Sequence, residues 1–184
     1  MNRLSFVAGL LLIATLAGAA ETTMKNPVST AALELKGVDD FQVLSRGGQA
    51  GPYAAFPDAT RLKSGDIKAV FYSGYGHVSL PREDWPKGGF ICTVSSKDEG
   101  RTWTEPKVLF DDGRDNRDPH IAELSDGTQL VTFFSLMPKT SATKSGSYES
   151  SHTELLVSHD GGATWDGPRV IAKGWYVSAP VREL

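Results

Sequence analysis

Ser96-Lys97-Asp98-Glu99-Gly100-Arg101-Thr102-Trp103 is the stretch that decides the fold, because it recurs as Ser158-His159-Asp160-Gly161-Gly162-Ala163-Thr164-Trp165. Both copies read S-x-D-x-G-x-x-W, both lead to a proline (Pro106, Pro168), and they stand 165 − 103 = 62 residues apart. Each position has a physical job. The Asp carboxylate accepts hydrogen bonds from the amides that follow it and holds a tight turn. The Gly supplies a positive φ that a side chain resists, and the Trp pins the turn onto the apolar layer beneath. The motif is a structural fastening that closes a hairpin and fixes its register.

The repeat extends well beyond the motif. A shift of 62 lays Pro57 on Pro119, Leu62 on Leu124, Gly65 on Gly127, Phe71 on Phe133, Tyr72 on Phe134, Val94 on Leu156 and Val108 on Val170. Within each unit four short apolar runs are separated by turn signals. They are Ala55–Leu62, Ile67–Tyr72, Phe90–Val94 and Pro106–Phe110, then His120–Leu124, Gln129–Phe134, Glu154–Val157 and Pro168–Ala172. Four antiparallel strands in each of two repeats predict an all-β chain built as β-propeller blades.

These motifs resemble the Asp-boxes, or BNR repeats, of the sialidase (neuraminidase) superfamily, over roughly residues 41 to 184. The resemblance implies a six-bladed propeller, with each box between the third and fourth strands of its blade. It also implies an exo-sialidase-like glycoside hydrolase that removes a terminal sugar from a glycan, without a cofactor or metal. Boxes of this kind also occur in non-catalytic propellers, so a carbohydrate-binding propeller is the competing reading, and a structural or assembly propeller a third.

Blade 1 is expected at about 53–112, blade 2 at about 115–174, and the start of a third at 176–184, where Ser178-Ala179-Pro180 and Leu184 echo Arg117-Asp118-Pro119 and Leu124 one residue shorter. Since a ring needs at least about four blades to close, the chain reads as the N-terminal part of a larger propeller whose remaining blades lie elsewhere. Residues 1–20 read as a secretory signal peptide: Asn2 and Arg3, the apolar run Leu4 to Leu16, then Ala17-Gly18-Ala19-Ala20. This predicts a secreted or periplasmic protein with no membrane anchor after cleavage. Residues 21–40 form a lead-in, and Asp39 to Ser45 is a candidate strand. A net charge of −3 gives no basic footprint for nucleic acid. The one cysteine, Cys92, reads as a buried strand residue without a disulfide partner.

Loops at one end of a propeller form a shared pocket, which here selects Ser73–Gly89, Asp112–Pro119 and Ser135–Ser151. Arg117, two residues before Pro119, offers a guanidinium fork suited to a carboxylate. The resemblance implies an arginine triad that clamps the acid group of sialic acid, its first member in an R-x-P motif. Arg117-Asp118-Pro119 has that form but opens the second blade, and Ala55 stands at the matching position of the first. A salt bridge with Asp115 or Asp118 is the other reading of Arg117. The loop Tyr75–Trp85 holds His77, Arg82, Glu83 and Asp84 between two aromatics, a set able to grip a sugar, and the resemblance puts the catalytic acid there, with Asp84 nearest in position. Asp58, Tyr75, His77, Arg82, Trp85, Asp118 and His120 complete the candidate substrate-binding set, while Ser96, Asp98, Gly100, Trp103, Ser158, Asp160, Gly162 and Trp165 are structural. The four histidines lack a metal-ligand spacing. The family's Tyr nucleophile and its Glu belong to later blades.

Overall fold

The computed structural model describes residues 42–139 and 148–184; the leader, the lead-in and part of the Ser135–Ser151 loop lie outside the described residues. Eight strands form two four-stranded antiparallel sheets. The first holds β1 (Tyr53–Arg61), β2 (Ile67–Gly74), β3 (Phe90–Ser96) and β4 (Lys107–Phe110) in that order. The second holds β5 (Asp115–Glu123), β6 (Gln129–Pro138), β7 (Tyr148–Ser158) and β8 (Asp166–Lys173). Among the described residues there is no α-helix, only a 3-10 turn at Gly48–Ala50. This is the all-β, blade-by-blade architecture that the repeat predicts.

The internal symmetry is close. β1 and β5 begin and end 62 residues apart, and each carries one extra residue against its partner strand, between Ala55 and Asp58 and between Arg117 and His120. At that bulge Phe56 (φ 52°) and Asp118 (φ 47°) take the left-handed conformation, each just before a proline. A bulge is where a strand tolerates a proline, since the missing N–H is not needed in the ladder. The sequence reading therefore began β5 too late, at His120: Pro119 suggested a loop, whereas the bulge admits it and the strand starts at Asp115. β7 likewise starts at Tyr148 rather than Glu154, paired to the long β6. No strand forms at residues 42–45, the described part of the run expected over Asp39 to Ser45; Leu44 instead packs on the first sheet.

The two motif turns fold alike. Ser96 Oγ bonds Asp98 and accepts the Gly100 amide at 2.8 Å, and Asp98 accepts both the Thr102 amide (2.8 Å) and its hydroxyl (2.6 Å). Ser158, Asp160, Gly162 and Thr164 repeat these bonds at 2.6–2.9 Å. Hydrogen bonds from Thr102 hold the Asp98 carboxyl down at about 2, and those from Thr164 lower Asp160 likewise.

The sheets pack face to face. Val70 and Ile91 of the first meet Ile121, Val131, Phe133 and Leu156 of the second, with the Phe110 and Phe133 rings 5.3 Å apart. On its other face the first sheet buries Ala69, Phe71, Cys92 and Val94 under Leu44, Ala50, Trp85 and Trp103. Cys92 is buried and free, and burial pushes its thiol up to about 12. A buried cation ties the seam at the motif end: Lys68, only 8% exposed, donates to Gln129 Oε1 (2.8 Å) and to the Gly161 carbonyl (3.0 Å) in the second motif turn.

Candidate functional site

Arg117 sits on β5 at the bulge, beside strained Asp118, and its side chain is driven across the seam between the sheets. It is 5% exposed. Its guanidinium carbon lies 5.4 Å from the Phe56 ring, 5.5 Å from Tyr72 and 5.6 Å from Phe134, so three aromatic faces surround the charge. Nη1 is 3.7 Å from Asp115 Oδ2, and Nη2 is 3.5 Å from Nε2 of His77, whose ring also stands edge-on to Phe56. Nε has no hydrogen-bond partner although it is buried, and the same holds for Oδ1 of Asp118. Buried polar groups are nearly always satisfied, so two orphans at neighbouring residues mark this spot.

Asp115 anchors the cluster. It is fully buried, accepting the Tyr72 hydroxyl (2.9 Å) on one oxygen and the Ser79 amide (3.1 Å) on the other. Burial pushes its carboxyl above the ordinary range, against the pull of Arg117 and these hydrogen bonds. Asp118 is raised for the same reason, opposed by Arg117, His120 and His77. Burial, reinforced by the charge of Asp115, pushes the Tyr72 hydroxyl up. A raised carboxyl can keep a proton to donate, and a desolvated guanidinium can hold an anion. Both properties meet at adjacent residues.

A second network steadies the loop before β5. Arg114 pairs with Asp112 and bidentately with buried Glu154 (2.8 and 2.9 Å), whose Oε2 also accepts the Ser135 hydroxyl (2.8 Å). Ser135 also bonds Asn116 Oδ1 at 2.6 Å.

Of the residues selected from the sequence, Arg117, Asp118 and His77 come together. Tyr75, Arg82 and Trp85 form their own stack on the β2–β3 loop: the Arg82 guanidinium lies 3.8 Å from the Tyr75 ring, and the Tyr75 and Trp85 rings are 5.6 Å apart. Asp84 is paired with Arg82 at 2.7 Å and its side chain is 73% exposed. Asp58 and His120 span the seam between β1 and β5, with Asp58 Oδ2 accepting the Ile121 amide (3.0 Å) and lying 3.4 Å from His120 Nδ1. Burial raises the Asp58 carboxyl, but His120 and the Ile121 amide outweigh it and hold it below the ordinary value. Sequence reasoning named Asp115 as a salt-bridge partner of Arg117, which the structure shows at 3.7 Å, but not as an anchor shared with Tyr72 and Ser79, and it missed Phe56, Tyr72 and Phe134 as the walls of the cluster. The 62-residue shift that aligns Tyr72 with Phe134 and Phe56 with Asp118 was the available signal.

No family model matches this chain, and no curated protein does. Among solved structures, a Streptococcus pneumoniae NanB sialidase superposes with a TM-score of 0.52 at 12% identity, over 71% of this chain and 38% of that one. A protein of unknown function from Dyadobacter fermentans (26% identity, 63% of this chain and 35% of that one) and a Penicillium chrysogenum α-L-arabinanase (25%, 68% and 34%) both score 0.49. The chain thus spans between about a quarter and two fifths of the length of the structures it matches. What the NanB likeness establishes is the fold: two four-stranded blades of the β-propeller type found in sialidases.

Proposed function

We propose that this chain is part of an exported sialidase-like glycoside hydrolase, and that Arg117 holds the carboxylate of an acidic terminal sugar. The observation that carries this reading is the Arg117 cluster: a buried guanidinium with an unpartnered Nε beside a carboxyl raised by burial. His77 is its outer cover, with an exposed ring against Nη2. Asp118 is half-buried, and burial raises its carboxyl in the direction that a proton donor near neutral pH needs; Asp84 is exposed. The N-terminal leader agrees with work on glycans outside the cytoplasm.

A non-catalytic glycan-binding propeller is the second reading, favoured by a specific observation. Ala55 stands where β1 could carry a matching arginine, and Arg117 is already partly neutralised by Asp115. Calorimetric titration with N-acetylneuraminic acid and with neutral N-acetylmannosamine, together with turnover of a fluorogenic α-sialoside, separates the two. Preferential binding of the acid, weakened about tenfold or more by Arg117→Met, supports the site. Turnover in addition supports the hydrolase, and binding without turnover the binding protein. Equal or no binding of the two sugars overturns both.

A further inference from the structure

We propose that Asp58 and His120 are positioning residues for the Arg117 site: Asp58 holds the His120 ring across the seam between the sheets, and His120 governs the proton on Asp118. What that proton does for a ligand rests on the reading of Arg117 as a sugar-binding residue; the coupling itself does not. In this role neither Asp58 nor His120 touches the sugar.

The two residues are each other's counterparts in the repeat. Asp58 follows Pro57 and His120 follows Pro119, 62 residues apart, so each stands where its strand leaves the bulge. The same position carries an acid in one sheet and an imidazole in the next, and the packing of β5 on β1 brings them together. Asp58 Oδ2 accepts the Ile121 amide at 3.0 Å, which fixes the carboxylate against β5, and it stands 3.4 Å from His120 Nδ1. The side chains of Asp58 and His120 are only 24% and 18% exposed, so solvent screens their attraction little. Unpartnered buried atoms gather here: Nδ1 of His120, Oδ1 of Asp118 just before Pro119, and Oγ1 of Thr132, the partner of His120 in the β5–β6 ladder. A separation of 3.4 Å is longer than a formed hydrogen bond, and contacts of this kind at functional sites tighten when the site is engaged. With Nδ1 turned to a carboxylate, Nε2 is the nitrogen left to take up and release a proton.

Asp118 is the group on which this ring acts. Burial raises its carboxyl; Arg117, His120 and His77 pull it back, and Asp115 adds to the rise. Arg117 keeps its charge throughout, so the histidines are the cations here that can lose theirs. His77 lies exposed on the β2–β3 loop, whereas His120 is held between Asp58 and the bulge. A protonated His120 favours the ionised Asp118 carboxylate; without that charge the carboxyl keeps its proton longer. Beside Arg117, an ionised Asp118 opposes the carboxylate of an acidic sugar and a protonated one does not. The contact between the sheets thus reaches the site through one imidazole.

The side-chain carboxyl carbon of Asp118, assigned by its loss in Asp118→Asn, reports its proton as pH is varied in the sugar-free protein. His120→Asn should move the Asp118 midpoint to a pH about 1 higher. His120→Gln, polar and equally unable to carry charge, should do the same, so that a folding defect in one variant leaves the other to decide. Asp58→Asn keeps an acceptor for the Ile121 amide; it should raise the midpoint in the wild-type background and leave it unchanged beside His120→Asn. An Asp118 midpoint unmoved by both His120 variants overturns the proposal, and so does an Asp58→Asn effect that persists without His120. Affinity for N-acetylneuraminic acid over the same pH range then separates the coupling from the sugar reading. Affinity that falls as Asp118 ionises, with its midpoint displaced by His120→Asn as far as the carboxyl midpoint is, supports the positioning role. Binding with the same pH dependence in both proteins overturns that role. No binding at any pH overturns the role given to Arg117, while the carboxyl titration still decides the coupling.

Discussion

Gly100 and Gly162 occupy the same place in the two motif turns, both with φ +85°, but they face different surroundings. A Cβ at Gly100 meets nothing nearer than the Trp103 ring at 3.7 Å. A Cβ at Gly162 overlaps Lys68 Nζ and comes within 2.8 Å of Gln129 Oε1. Gly100→Ala should therefore cost only the left-handed backbone penalty, about 1–2 kcal/mol. Gly162→Ala incurs the same penalty and also pushes the buried Lys68 ammonium off its two acceptors across the seam. Loss of hydrogen bonds to a charged group adds about 1.5–3 kcal/mol, for a total of about 2.5–5 kcal/mol. Urea unfolding followed by tryptophan fluorescence reads the two costs. The double variant Lys68→Met/Gly162→Ala isolates the seam, because without the ammonium the glycine substitution should fall back to about 1–2 kcal/mol. Equal costs for the two single variants, or an undiminished Gly162→Ala cost in the Lys68→Met background, would refute this account of how the blades are joined.

Other predictions follow from the same geometry. Phe133→Ala opens a cavity in the core shared by both sheets, and should cost about 3–5 kcal/mol in denaturant unfolding while the two sheets still melt together; two separate transitions would contradict a common core. Asp98 is depressed to about 2 from its usual 3.8, so its contribution to stability is present above pH 3.8 and lost as pH falls through about 2. Asp98→Asn should flatten the acid limb of a stability–pH profile, and an unchanged limb contradicts the hydrogen-bonded turn. Asp115 has the opposite sign: raised in the folded state, it favours folding below 3.8 and progressively less as pH rises through its folded value. Asp115→Asn should remove that decline, and a decline that persists assigns it elsewhere. Cys92, buried with its thiol pushed up to about 12, should resist a thiol reagent at pH 8 until the chain unfolds; rapid labelling of the folded protein contradicts its burial.

Much of the fold was legible because the determinants are local and repeated. Asp98 and Asp160 sit four residues before the threonines they bond, so spacing alone revealed the turns. The short apolar runs between turn signals located the central strands β2 and β6, which are buried on both faces. Strand starts were harder to read, since Pro119 signals a break in any one-dimensional pattern and only the pairing of Arg117 with Phe134 and His120 with Thr132 shows a bulge accommodating it. The site was legible in part for a similar reason. Arg117 was visible through its proline, but Phe56 and Tyr72 come from the other blade, and Asp115, two residues back on the same strand, is tied to them through Tyr72; each looks like an ordinary strand or loop residue in sequence. Asp84 stood out by composition, yet the loop folds so that its carboxylate pairs with Arg82 in solvent.

The most direct test of the proposed anion site is the side-chain Nε–H resonance of Arg117. Buried and without a partner, this group should give a distinct signal, assignable by its absence in Arg117→Lys. On titration with N-acetylneuraminic acid the signal should move and saturate, while N-acetylmannosamine leaves it in place. A signal unmoved by the acidic sugar, or moved equally by both, contradicts the assignment of Arg117 as the carboxylate-holding residue.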